Sequence, residues 1–404
     1  MVLNPQYILL GGSVLFLISI FASRAAYRFG VPVLLLFLII GMVFGSDGVG
    51  IQFNNASTAQ FIGVVALSMI LFSGGMDTKY SEIKPVILPG IVLASVGVLI
   101  TALIVGVLIY FITNQVDRFI TLSLPESMLL AAVMSSTDSA SVFSILRSKG
   151  LHLKENLRPL LELESGSNDP MAYMLTLLFI GAVQAGEINV TGFIIKLIVQ
   201  LVIGALCGYF LGKLIIYIAG KIKLPTSSQY NILFLTFAFF VYSSTEFLYG
   251  NGFLAVYISG LVLGNSKLPN RENTEGFFDS IAWFFQLIMF LSLGLLVNPS
   301  ELPHIMGIGL AVTFVMVAIA RPAAIFLCLA PFKHISNRAK HYVSWVGLKG
   351  AVPIIFATYP LTAGLENAGH MFNIVFFITL VSLLVQGTTV NFAAEKLKLS
   401  NSSD

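Results

Sequence analysis

Apolar residues recur along this chain in runs of about twenty, separated by short polar stretches. Thirteen such runs can be marked, near residues 6–24, 30–46, 58–76, 85–113, 125–146, 157–184, 190–217, 227–248, 251–266, 276–297, 303–331, 339–362 and 371–393. A helix of about 20 apolar residues crosses a bilayer core of roughly 30 Å. The pattern therefore predicts an all-α polytopic membrane protein with about 13 transmembrane helices. Two runs carry polar or helix-loosening residues at mid-depth. The fifth contains Ser135-Ser136-Thr137-Asp138-Ser139-Ala140-Ser141, whose side chains compete for backbone hydrogen bonds. The twelfth contains Gly347-Leu348-Lys349-Gly350-Ala351-Val352-Pro353, where two glycines and a proline weaken the helix. Thirteen spans divide as six, one and six, and a shift of seven spans reverses orientation. The fifth and twelfth then correspond, which predicts inverted six-helix repeats with two broken helices crossing at mid-membrane, as in many secondary transporters.

Composition supports the membrane reading: 57% of residues are hydrophobic and 10% charged, against about a quarter charged in soluble domains. Charge placement orients the spans. With the N-terminus outside, 18 of the 22 lysines and arginines flank cytoplasmic loops, Arg118 lies outside, and Lys196, Arg321 and Lys349 fall within spans. The expectation is a multi-pass protein of the cell inner (plasma) membrane with a cytoplasmic C-terminus. The first run lacks a basic leader and an A-x-A-like site, so it reads as a span rather than a cleaved signal. Cys207 and Cys328 both sit in apolar runs and suggest no disulfide framework. No basic run stands apart from a loop flank, so the sequence offers nucleic acid no binding surface. The tail, residues 397–404, is short and polar; a longer cytoplasmic portion either follows it or does not.

Charges inside a membrane are costly and mark function by default. The acids at depth are Asp138, Glu164 and Asp169, and the bases are Arg321 and Lys349. Asp169 follows Asn168 and precedes Pro170, which removes the N–H that would bond the Gly166 carbonyl. With hydroxyls of Ser165 or Thr137, an amide oxygen and the carboxylate, this makes a hard-oxygen cage suited to an alkali cation. No Cys/His cluster accompanies the acids, so a transition metal is not expected, and no cofactor is implied. Glu164 and Arg321 balance as a structural ion pair, and Lys349 compensates charge at the broken helices with Asp138. Asp169 is then the acid without a fixed partner. Burial disfavours its charged form, so it takes either a proton or a cation, and that competition alone yields electroneutral exchange. Blander roles coexist with this one: Asp138 as a helix cap, Asn168 as a bridge between helices, and Ser73-Gly74-Gly75-Met76 as a close-packing surface.

Glu164-Ser-Gly-Ser-Asn168-Asp169-Pro170, the Thr137-Asp138 break and Gly347-Leu-Lys-Gly-Ala351 together resemble the cation/proton antiporters of the NhaP and sodium/proton exchanger group. The similarity is greatest to the bacterial potassium/proton antiporter branch. It covers essentially the whole chain. The resemblance implies a homodimer that works by an elevator-like movement. Residues 1–396 would form the transmembrane antiporter domain, with core helices near 125–184 and 303–393 and dimerisation or scaffold helices near 6–76 and 190–297. Asp169 would be the proton and cation carrier, with Asn168, Thr137, Ser165 and Asp138 around the cation and Glu164–Arg321 as the stabilising pair. The implied activity is electroneutral exchange of K+ and/or Na+ for H+, leaning to K+. A cytoplasmic regulatory domain outside this chain is a further implied partner. Two departures stand out: Lys349 occupies a position that is often arginine in the family, and Ser73 occupies one that is glutamate in some relatives. The alternative reading is a cation-coupled symporter of an organic anion on a similar inverted-repeat fold. A channel is disfavoured by the absence of a Thr-Val-Gly-Tyr-Gly filter, and an intramembrane enzyme by the absence of a nucleophile or paired-acid signature.

Overall fold

Long apolar runs with no polar face leave a backbone one way to satisfy its own hydrogen bonds in lipid, and that is the helix. The computed structural model describes residues 5–29, 32–115, 120–138, 141–142, 151–187, 190–268 and 271–402. Ser139 and Ala140 of the first break, and Arg118, Arg147 and Lys149 of the charge pattern, lie outside the described residues. The described residues form 14 helices: α1 (Pro5–Phe29), α2 (Val33–Phe44), α3 (Ala56–Asp77), α4 (Tyr80–Gln115), α5 (Leu124–Val133), α6 (Leu157–Ala185), α7 (Val190–Lys221), α8 (Ser227–Phe247), α9 (Gly252–Gly264), α10 (Arg271–Leu296), α11 (Pro299–Leu329), α12 (Asn337–Trp345), α13 (Ala351–Thr362) and α14 (Ala368–Lys396). Six of them, α3, α4, α7, α10, α11 and α14, are long and apolar enough to cross a bilayer. The chain is a multi-pass membrane protein.

Two features depart from a purely helical reading. Leu151–Leu153 (β1) pairs antiparallel with Ser400–Ser402 (β2), which ties the segment before α6 to the segment after α14. α4 and α11 are also not uniform. Each carries a wide π-type turn, at Leu93–Gly97 and Met316–Ala320, and the two turns pack against each other's helices. Such turns arise as single local bulges within α-helices.

The helix ends follow local chemistry. Ser123 caps α5 through a reciprocal box with Glu126, whose carboxylate also accepts from Asn367 Nδ2 at 2.9 Å. Asn251 caps α9 by accepting from the Leu254 N–H, and its Nδ2 donates to the Pro170 carbonyl at 2.9 Å, fixing α9 to α6. Glycine decides how α9 is clamped. Its Gly260 and Gly264 lie against the backbone carbonyls of Phe72 and Met76 on α3, while Gly75 of α3 lies against the Tyr257 carbonyl. On the opposite side, Gly204, Gly208 and Gly212 of α7 form a ladder one turn apart that meets Asn251, Ala255 and Ser259. A Cβ at Gly208 would stand 2.6 Å from the Ala255 carbonyl oxygen, so Gly208→Leu must push α7 away from α9. Overpacking of this kind costs about 1–3 kcal/mol. Gly208→Leu is expected to lose monodisperse protein in size-exclusion chromatography, whereas Gly276→Leu, with open space around it, is not.

Candidate functional site

The two breaks form where the sequence weakens the helix. α5 stops at Val133, its last helical bonds come from the Met134 and Ser135 N–H groups, and residues 136–138 are no longer helical. α12 stops at Trp345, Val346 closes its last turn, and residues 347–350 are irregular before α13 begins at Ala351. The breaks cross at contact distance: the Asp138 N–H donates to the Leu348 carbonyl at 2.8 Å, and a Cβ on Gly350 would collide with the Asp138 carboxylate. Only glycine permits that approach. The Asp138 carboxylate accepts from Ser141 N at 3.2 Å and from Ser141 Oγ at 2.7 Å, the contacts of a capping side chain.

α6 lies across this crossing. Pro170 sits inside it without interrupting it, and Gly166 is where the Tyr257 ring packs onto the helix. Residues 164, 165, 168 and 169 fall on adjoining turns, which aims them at the break. Ser165 Oγ donates to the Thr137 carbonyl and Asn168 Nδ2 to Thr137 Oγ1, both at 2.5 Å. Asp169 Oδ1 accepts from Ser136 Oγ. Among the described residues no donor reaches Asn168 Oδ1, although the side chain is buried. A buried amide oxygen without a donor is a costly state that a cation can relieve.

The two bases are held differently. Arg321 Nη1 meets Glu164 Oε1 at 2.6 Å, with both side chains buried. Glu164 Oε2 and Arg321 Nε and Nη2 have no hydrogen-bond partner among the described residues, so the pair rests on charge more than on a bonded fork. Lys349 is 3% exposed, and its Nζ donates to the Ser136 carbonyl at 2.8 Å. Its own N–H donates to Ser382 Oγ, which donates to Gln386 Oε1, and Gln386 Nε2 donates to the Trp345 carbonyl. That relay braces the second break from α14.

A cavity of about 810 Å³ opens onto this cluster. Asp138, Ser165 and Asp169 line it on one side, and Ser73 and Asp77 of α3 with Asp279 and Gln286 of α10 line it on the other. Lys79, Arg158 and Arg271 also line it, and each pairs with an acid, Glu82, Glu162 and Glu275 respectively. Three deep acids face two deep bases. The cluster is one negative charge in excess, which one proton or one monovalent cation neutralises.

The sequence profile described as "Sodium/hydrogen exchanger, transmembrane" matches residues 13–396. The chain belongs to the transmembrane sodium/hydrogen exchanger family. Among similar exchangers, the K(+)/H(+) antiporter NhaP of Alkalimonas amylolytica is 41% identical over 387 residues, which are 96% of this chain and 66% of that protein. The chain thus spans just under two thirds of that relative's length. The Na(+)/H(+) antiporter ApNhaP of Aphanothece halophytica is 30% identical over 381 residues, 91% of this chain and 70% of that one. The fold is similar to that of the sodium proton antiporter MjNhaP1 of Methanocaldococcus jannaschii, with a TM-score of 0.82, 23% identity and coverage of 95% and 97% of the two chains.

All eight residues singled out from the sequence, Thr137, Asp138, Glu164, Ser165, Asn168, Asp169, Arg321 and Lys349, fall in this one cluster. Sequence reasoning gave no weight to Ser136, Ser382 or Gln386. It also passed over the wall of the cavity formed by α10, where Glu275, Asp279 and Gln286 recur at helical spacing as a polar stripe. That stripe was the available signal.

Proposed function

We propose that this chain is the membrane transport unit of an electroneutral antiporter that exchanges K+ and/or Na+ for H+ by alternating access, with K+ favoured. The observation that carries the reading is Asp169, a buried carboxylate at the deep end of the cavity, in a cluster with one excess negative charge. A carboxylate that holds either a proton or a monovalent cation moves no net charge per cycle. Asn168, through its donor-less Oδ1, Thr137 and Ser165 supply oxygens around the ion, and Asp138 adds charge at the cavity side. Glu164–Arg321 is the structural pair, and Lys349 compensates charge at the crossing. The preference for K+ rests on the K(+)/H(+) antiporter that is 41% identical, against the Na(+)/H(+) antiporter that is 30% identical.

The cavity supports a division into core and scaffold. Helices near 125–184 and 303–393 carry the charged cluster, and helices near 6–76 and 190–297 supply the opposite wall. Movement of the first group against the second alternates access. The thirteen-span inverted repeat draws support from paired irregularities. Breaks fall in the fifth and twelfth spans and π-type turns in the fourth and eleventh, each pair seven spans apart. The positive-inside pattern supports a cavity mouth, with Arg158 and Arg271, on the cytoplasmic side, an N-terminus outside, and a place in the inner (plasma) membrane. α7 presents Ile194, Ile198, Phe210 and Tyr217 outward, a surface for lipid or for the second subunit of a homodimer. An organic-anion symporter is a poorer fit, because each basic side chain lining the cavity is already paired.

In proteoliposomes with an acid lumen and a pH-sensitive dye, added K+ is expected to alkalinise the lumen more strongly than Na+ or Li+. The rate is expected not to change when a membrane potential is imposed. A rate that scales with voltage would contradict electroneutral exchange.

A further inference from the structure

Ser136 is bound on both sides by the charges of the site. Its hydroxyl donates to Asp169 Oδ1, and its main-chain carbonyl accepts from Lys349 Nζ at 2.8 Å. The second contact lies in the break: Ser136 is three residues past the end of α5, and its carbonyl holds the ammonium. No direct ion pair joins Asp169 to Lys349 among the described residues; Ser136 stands between them, 1% exposed. A hydroxyl also suits both loads of a carboxylate. It donates to the charged carboxylate and, rotated, accepts from a protonated one, since it carries one donor and two lone pairs.

We propose that Ser136 is a positioning residue that sets the balance between proton and cation at Asp169. With the hydroxyl in place, the ionised carboxylate is stabilised by a charge-assisted hydrogen bond, and the cation competes with the proton at lower pH. The same residue keeps Lys349 at a fixed remove, so the ammonium tempers Asp169 without occupying the cation's place. The other charges around Asp169 are Asp138 of the first break, Glu164 of the same helix with its partner Arg321 of α11, and, along the cavity, Asp77 of α3, Asp279 of α10 and the pairs Lys79–Glu82, Arg158–Glu162 and Arg271–Glu275. Ser136→Ala leaves all of these in place and removes one donor. This inference rests on the proposed exchange at Asp169.

Two readouts on the full chain test it. In proteoliposomes, Ser136→Ala is expected to shift half-maximal K+-driven proton exchange about one pH unit upward, a tenfold change in proton competition. The apparent K+ affinity at fixed pH is expected to fall, and Ser136→Thr to bring both back towards the parent. The second readout needs no transport. The infrared band of the protonated carboxyl, assigned by its loss in Asp169→Asn, is titrated with pH in the parent and in Ser136→Ala. Its midpoint is expected to rise by a similar amount. An unmoved midpoint overturns the role of Ser136, as does a uniform fall in rate with an unshifted pH profile. Absence of any cation-driven proton flux in the parent overturns the proposed exchange instead, and the infrared midpoint still decides the role of Ser136.

Discussion

Asp169→Asn is expected to abolish cation-driven proton movement to below about one part in a hundred of the parent rate while leaving the protein folded. The substitution keeps the size of the side chain and the Ser136 contact but removes the group that can alternate between proton and cation. The remaining charges of the cluster, Asp138 and Glu164 against Lys349 and Arg321, then balance, and nothing draws a monovalent cation to the crossing. Proton flux in liposomes, measured beside thermal melting in detergent, separates a dead site from a damaged fold. Flux near the parent level in this variant would move the carrier role to Asp138, which also lines the cavity.

The second large effect is on stability. Arg321 and Glu164 meet at 2.6 Å with side chains 6% and 1% exposed. Removing one partner strands a buried charge and costs about 3–5 kcal/mol. Arg321→Met and Glu164→Leu are each expected to lower the melting temperature sharply, whereas the double variant recovers most of the loss, because an apolar pair of similar volume often replaces a buried ion pair without penalty. A double variant as unstable as the sum of the singles would show that the two charges have separate partners. Separate partners would require Glu164 Oε2 and Arg321 Nε, which find no hydrogen bond among the described residues, to be satisfied elsewhere.

Much of this arrangement could be read from the residues because it is local. Apolar runs of membrane length become helices, Ser-Ser-Thr-Asp and Gly-Leu-Lys-Gly end them, and an acid between Asn168 and Pro170 is conspicuous in an apolar span. What could not be read depends on pairs far apart in the chain. Asp138 and Leu348 meet across 210 positions, and nothing in either segment names the other. Ser136 lies in a run of serines that periodicity does not distinguish; its role comes from the end of α5, which turns its carbonyl to Lys349 and its hydroxyl to Asp169. The glycine ladder of α7 is visible as a spacing, yet its meaning comes from the α9 backbone it meets. The π-type turns at Leu-Ala-Ser-Val-Gly and Met-Val-Ala-Ile-Ala break no pattern in apolar sequence; packing selects them. The β1–β2 pairing joins Leu-His-Leu to Ser-Asn-Ser, segments of three residues each that are too short to carry a strand signal.

The central claim is that one carboxylate holds either one proton or one cation. Counting protons released as K+ is added to purified protein in weakly buffered detergent, at a pH where the site is proton-loaded, tests it most directly. The account predicts one proton released per K+ bound, with both binding and release lost in Asp169→Asn. K+ binding without proton release, or release that survives in Asp169→Asn, would contradict it.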